Sequence, residues 1–154
     1  MDTLVLKLGA MSVKYKVGDD QLPHFITFSV VEWIDALTRS EYKEIIVESL
    51  QHCIENKGLQ LNAWVIMSNH VHLIMSAKSG FTISNILRDF KKFTSKQIVK
   101  AIKENPKESR REWMMYMFER AGKRNNNNKD FQFWQQDSHP IELSNAGMLK
   151  QKLN

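Results

Sequence analysis

The spacing of apolar residues changes period several times along the chain, and each change marks an element. From Pro23 to Val31, Phe25, Thr27 and Ser29 alternate with Ile26, Phe28 and Val30, the two-residue period of a strand. Both sets contain apolar side chains, so the strand is expected to be central, covered on one face and largely buried on the other. Thr38, with Glu41 three residues on, has the form of a capping box. It predicts a helix from about Arg39 to Asn56, with Ile46, Leu50, Cys53 and Ile54 at helical spacing and Gly58 at its end. Leu59–Met67 and His70–Ala77 read as two antiparallel strands around a tight break at Ser68-Asn69, and Gly80 ends the pair.

Thr82 or Ser84 then caps a second helix carrying Ile86, Leu87, Phe90, Phe93, Ile98, Val99 and Ile102, with Phe90 and Phe93 expected to pack inward. It stops by Asn105-Pro106, because proline disfavours helical backbone in the residue before it. Ser109–Arg120 reads as a third, amphipathic helix with Trp113, Met114, Met117 and Phe118. The asparagine run 125–128 reads as a loop, Phe131–Gln135 as a short strand, and 144–152 as a last helix. The order is strand, helix, strand, strand, helix, helix, strand. That predicts an α+β, ferredoxin-like split βαβ fold: one antiparallel sheet with helices packed on one face. Residues 1–10 fit this pattern poorly, and Met11 offers a second start. They read as an N-terminal extension, open between a leader, a start-assignment difference and an added strand, with Gly18-Asp19-Asp20 as a turn. Residues 11–154 form one domain.

Composition narrows the class. The 154 residues are 42% hydrophobic and 25% charged, a globular balance with enough chain to bury a core. No apolar run reaches membrane-spanning length, so no membrane partner is expected. The single cysteine, Cys53, sits in a helical apolar stripe and reads as a core thiol. Together with an N-terminus unlike a signal peptide, it points to a cytoplasmic setting.

Charge is uneven. Between Arg88 and Lys129 there are 13 Lys and Arg against 5 Asp and Glu, while the rest of the chain holds 9 against 12. A basic block beside a mildly acidic remainder suggests a polyanion partner, with a solvated lysine-rich helix as the plain alternative. Arg88, Lys91, Lys92 and Lys96 can share much of one helical face, and Arg110, Arg111, Arg120, Lys123 and Arg124 extend it. Such side chains are expected to contact the phosphates of a polyanion rather than read its sequence.

His70 and His72 are the candidate chemistry. Two residues apart on a strand, they share a face, and each neutral imidazole can give one nitrogen to a divalent ion. Spacing alone leaves ordinary strand histidines open and does not choose among magnesium, manganese and zinc. Trp134 reads as a core or rim side chain, and His24, His52 and His139 as structural.

The run Trp64-Val65-Ile66-Met67-Ser68-Asn69-His70-Val71-His72-Leu73-Ile74 resembles the signature of the single-tyrosine HUH transposases. These are the IS200-like enzymes and their relatives associated with repetitive extragenic palindromes. Phe25–Trp33 resembles their opening strand, Ile86–Thr94 the helix after the histidine strand, and Phe133-Trp134-Gln135-Gln136 their Trp-Gln segment. The resemblance implies a homodimer that binds hairpin or single-stranded DNA. It implies that His70 and His72 hold Mg2+ or Mn2+, and that a tyrosine hydroxyl attacks a DNA phosphate to give a 5′-phosphotyrosine link. In those relatives the nucleophile lies on a helix after the Trp-Gln segment. No tyrosine follows Trp134, so the domain is expected to be truncated before that helix is complete, and a third ligand borne there is missing with it. Among Tyr15, Tyr42 and Tyr116, only Tyr116 is left as a candidate nucleophile, against a plain helix-packing reading. A DNA-binding remnant without cleavage is the alternative function.

Overall fold

The computed structural model describes residues 19–125, 130–143 and 146–153. The N-terminal extension, Tyr15, most of the asparagine run and residues 144–145 at the start of the last predicted helix lie outside them. Four strands, β1 (His24–Ser29), β2 (Leu59–Ile66), β3 (His70–Ala77) and β4 (Ile141–Glu142), form one antiparallel sheet in the order β2-β3-β1-β4. Among the described residues the helices are α1 (Ser40–Asn56), α2 (Ile83–Glu104), α3 (Arg111–Lys123) and α4 (Ala146–Leu153), with a single 3-10 turn at Val31–Trp33.

Strand alternation builds the core. Ile26 and Phe28 of β1 and Val71, Leu73 and Met75 of β3 turn to one face. There they are buried with Tyr42, Ile46 and Leu50 of α1, Ile83, Phe90 and Ile98 of α2, and Met114 and Phe118 of α3. Phe25, Thr27 and Ser29 turn to the other face, paired across β1 and β3 with Ile74, His72 and His70. A second, smaller apolar cluster forms on that face from Phe25, Ile74 and Leu143.

Four expectations are corrected. Thr38 does not cap α1: Arg39 stands at the N-cap and no side chain closes a capping box. Tertiary partners claim both residues, since Arg110 donates to Thr38 Oγ1 and Asp35 O, and Arg39 pairs with the buried Glu108. The segment 131–135 is not a strand. Phe133 and Trp134 enter the same core cluster in succession, which the alternating side chains of a strand do not do, and only Trp134 bridges Val30; the fourth strand is Ile141–Glu142. Phe93 is exposed on the flank of α2, beside the cleft that α2 makes with α1. Helices do not all lie on one face, because Lys152 of α4 sits over the Phe25 ring on the opposite side.

Two glycines matter to this layout. Gly58, at φ 73°, turns the chain out of α1. At Gly122 a Cβ would lie 2.6 Å from the Phe131 Cα, so only glycine lets the returning segment pass against α3.

Candidate functional site

The register of β1 on β3 assembles the site. Their pairing sets Thr27 opposite His72 and Ser29 opposite His70 on the face away from α1–α3. The two imidazole centroids are 4.7 Å apart with planes at 76°. Phe25 stacks on His72 at 5.2 Å, and Trp33 meets His70 edge-on at 6.3 Å.

Hydrogen bonds fix the first tautomer. The Asn69 amide donates to the Trp33 carbonyl, which leaves Asn69 Oδ1 to face His70. A carbonyl oxygen can only accept, so His70 Nδ1 is the donor across 2.7 Å, and its Nε2 carries the lone pair. Thr27 Oγ1 bonds His72 Nδ1 at 2.9 Å. With Nδ1–H given to that hydroxyl, His72 likewise presents Nε2 as a lone pair, the form in which imidazole ligates a metal.

His72 Nε2 is buried and has no hydrogen-bond partner among the described residues. Burial holds the His72 pKa down to about 4, the charge of His70 adding to the effect, and burial lowers His70 as well. Both rings are therefore neutral at pH 7. An orphaned buried imidazole nitrogen beside a second neutral imidazole is a donor set that suits a divalent cation. Among the described residues no group of three or more His, Cys, Asp and Glu surrounds them, so protein ligands from this set stop at two.

Lys152 joins this face from α4. It is only 5% exposed, its ammonium 5.4 Å from the Phe25 ring centroid, and burial lowers its pKa. Thr27, Asn69, Phe25 and Lys152 are the site residues that sequence reasoning missed. Alternation on β1 already set Thr27 with Phe25 on one face; nothing local marked Lys152.

The basic candidates separate. The ammonium groups of Lys92 and Lys96 are exposed on α2, and that of Lys123 on α3, without ion pairs among the described residues. Arg88, also exposed, bonds Asp89 and Asn85. Lys91 turns inward, donating to Gln135 O at 2.7 Å, Gln136 O at 3.2 Å and Ser138 Oγ at 3.3 Å. Its pKa falls to about 8 through burial, with Asp137 opposing the shift. Arg110 pairs with Glu108 and holds Asp35 O, Arg111 reaches Asn105 O, and Arg120 is half-buried. Arg124 pairs with Glu32 at 3.5 Å and shares an open groove with Trp33.

Tyr116 is 60% exposed on the side of α3 away from buried Met114 and Phe118, and it makes no ring or hydrogen-bond contact with the histidines. Tyr42 is buried, its hydroxyl accepting from Asn105, and burial raises its pKa. Trp134 is a core residue whose indole donates to Thr94 Oγ1 at 2.9 Å. Cys53 is a buried thiol with its pKa raised by that burial. Among the described residues no helix is long and apolar enough to cross a membrane.

Residues 25–131 match a family model described as "Transposase IS200 like". Among solved structures, the chain is similar to a REP-associated tyrosine transposase bound to a REP hairpin. That match has a TM-score of 0.62 and 15% identity, over 92% of this chain and 68% of that one, and at that identity the likeness is one of fold. A putative transposase from Deinococcus radiodurans R1 aligns at a TM-score of 0.46 and 18% identity, over 66% of this chain and 95% of that one. No curated protein matches the chain.

Proposed function

This chain belongs to the IS200-like transposase family, and we propose that it binds hairpin or single-stranded DNA, with His70 and His72 holding Mg2+ or Mn2+ against a DNA phosphate. The observation that supports the reading is the buried Nε2 of His72, unpartnered among the described residues, beside the lone pair that Asn69 assigns to His70. The strand order β2-β3-β1-β4, reached by a β-α-β-β-α-α-β course, is read as the ferredoxin-like split βαβ arrangement. The DNA class rests on family membership and on the hairpin held by the structural neighbour.

When bound, the ion supplies Lewis-acid polarisation of a phosphoryl oxygen. The chain's own residues do the rest. Thr27 and Asn69 hold the two imidazoles in ligating tautomers, Phe25 fixes the His72 plane, and the Lys152 ammonium adds positive charge on the same face. Exposed Lys92, Lys96, Arg88 and Lys123 are assigned to more distant phosphates. A homodimer belongs to the same reading and is tested by sedimentation.

Strand cleavage through a 5′-phosphotyrosine link is the family chemistry. DNA binding without cleavage by this chain is the second reading, favoured by the outward position of Tyr116 and the burial of Tyr42. Titration of Mn2+ into the native chain, His70→Ala and His72→Ala tests the metal; equal heats in all three would end that assignment. A labelled DNA hairpin incubated with Mn2+ and run on a denaturing gel tests cleavage. An adduct lost in Tyr116→Phe makes Tyr116 the nucleophile, and absence of any adduct leaves the binding-only reading.

A further inference from the structure

Beside the histidine pair lies an open groove of about 830 Å³ with Val31, Trp33, Arg124, Gln132, Gln135 and Gln136 in its lining. Three features distinguish it from an ordinary surface fold. Trp33 is 59% exposed, although a tryptophan normally buries most of its ring. Glu32 and Trp33 both hold left-handed backbone, at φ 55° and 54°, a costly conformation for such side chains. Within the described residues, the side-chain amides of Gln135 and Gln136 make no bond to protein. Their carbonyls are held by Lys91 Nζ, which ties the segment inward while both side chains line the groove.

An exposed indole, amides offering both donors and acceptors, and an Arg124–Glu32 ion pair in the lining, net neutral, form a chemistry that matches one ligand class. A nucleobase has a π-face to stack and a mixed donor and acceptor edge. An apolar peptide would leave the amides unpaired, and a bare phosphate would make no use of the indole. The Trp33 and His70 rings also meet in a T-shaped pair with centroids 6.3 Å apart, so a base on Trp33 is next to the phosphate assigned to the metal pair.

We infer that this groove is a nucleobase subsite, in which Trp33 stacks an unpaired base of the strand held at His70 and His72 while Gln135 and Gln136 bond its edge. The inference rests on the DNA-binding reading above and names what that strand meets beyond its phosphate. Stacking accepts every base, so Trp33 supplies affinity and the two amides supply preference among bases.

The test uses fluorescence anisotropy of the full chain with Mn2+ and a labelled mixed-sequence single strand, alongside the same strand with its bases removed. Trp33→Ala is expected to weaken binding of the base-bearing strand about tenfold and to leave the abasic strand unchanged. Trp33→Phe keeps most of the affinity and, with an unchanged melting temperature, excludes a folding defect. Gln135→Ala with Gln136→Ala is expected to change the ranking of adenine-only, cytosine-only and thymine-only strands. Equal weakening of both strands by Trp33→Ala, or none on either, overturns the subsite and leaves the DNA-binding reading standing. A native chain that binds neither strand overturns both.

Discussion

His72 makes protonation destabilising, and the size of the effect follows from its surroundings. A histidine in an unfolded chain titrates near 6.5. In the folded protein burial and the neighbouring His70 hold the value down to about 4. Between these limits the unfolded chain binds a proton that the folded chain refuses, so stability falls as pH falls through that window. Above 6.5 the contribution is fully present; below about 4 it is fully lost. The interval sets a ceiling of about 3.4 kcal/mol. Solvent reaching the partly exposed ring reduces the expected loss to about 1.5–2 kcal/mol. The perturbation is His72→Asn, which keeps a polar atom near Thr27 Oγ1 and cannot titrate. Urea unfolding of both proteins from pH 7.5 to 4.5 gives the difference in stability at each pH, which cancels the carboxylates common to both. That difference should be level down to about 6.5 and then decline. Titration of the His72 ring proton by NMR reads the same quantity directly. A level difference across the whole range, or a ring that titrates near 6.5, would refute the argument that burial keeps His72 neutral.

Other consequences are more local. Thr27→Val keeps the β-branched shape of the strand but removes the partner that His72 Nδ1 has among the described residues, so Mn2+ affinity by calorimetry should fall about 10–100-fold; unchanged affinity would remove Thr27 from the site. Lys91→Met strips three oxygen acceptors of their ammonium and should cost about 1–3 kcal/mol in urea unfolding, with faster amide exchange along 135–138. Lys92→Ala with Lys96→Ala should lower the slope of log affinity for DNA against log salt by about two while leaving Mn2+ binding unaltered; an unchanged slope would move the phosphate path elsewhere.

Much of the layout is legible in the sequence because it is made by local alternation. The two-residue period of β1 and β3 already divides Ile26, Phe28, Val71 and Leu73 from Thr27, His70 and His72, and the structure keeps that division. Helices α1 and α2 follow from their apolar spacing, and Thr82 caps α2 through the Asn85 amide. The chain after Asn125 resists this reading for a physical reason. Phe133 and Trp134 are buried in succession by contacts with Phe118, Phe28 and Thr94, so neither period describes them. The two residues of β4 are defined by pairing with β1 and by no pattern of their own. The N-terminus of α1 shows the same limit: a good local capping signal at Thr38 lost to Arg110 and Glu108, residues about seventy positions away. Thr27 meets His72 across 45 residues, a contact set by strand register alone.

Register also explains why the candidate site can tolerate a defect. A buried polar atom without a partner costs about 1–3 kcal/mol, and His72 Nε2 is such an atom on a central strand. The neighbours could relieve it only by moving β3, whose alternate residues Val71, Leu73 and Met75 are locked into the main core. The same side-chain alternation that turns the two imidazoles away from the main core therefore prevents the strand from turning to satisfy one of them. Stiffness of this kind preorganises the donors and leaves part of the folding stability to be recovered by whatever binds Nε2. A cation at saturation recovers it by mass action: about 2.7 kcal/mol at a hundred times its dissociation constant. That gain should vanish in His72→Asn and shrink as pH falls toward 4, where a proton takes the same lone pair.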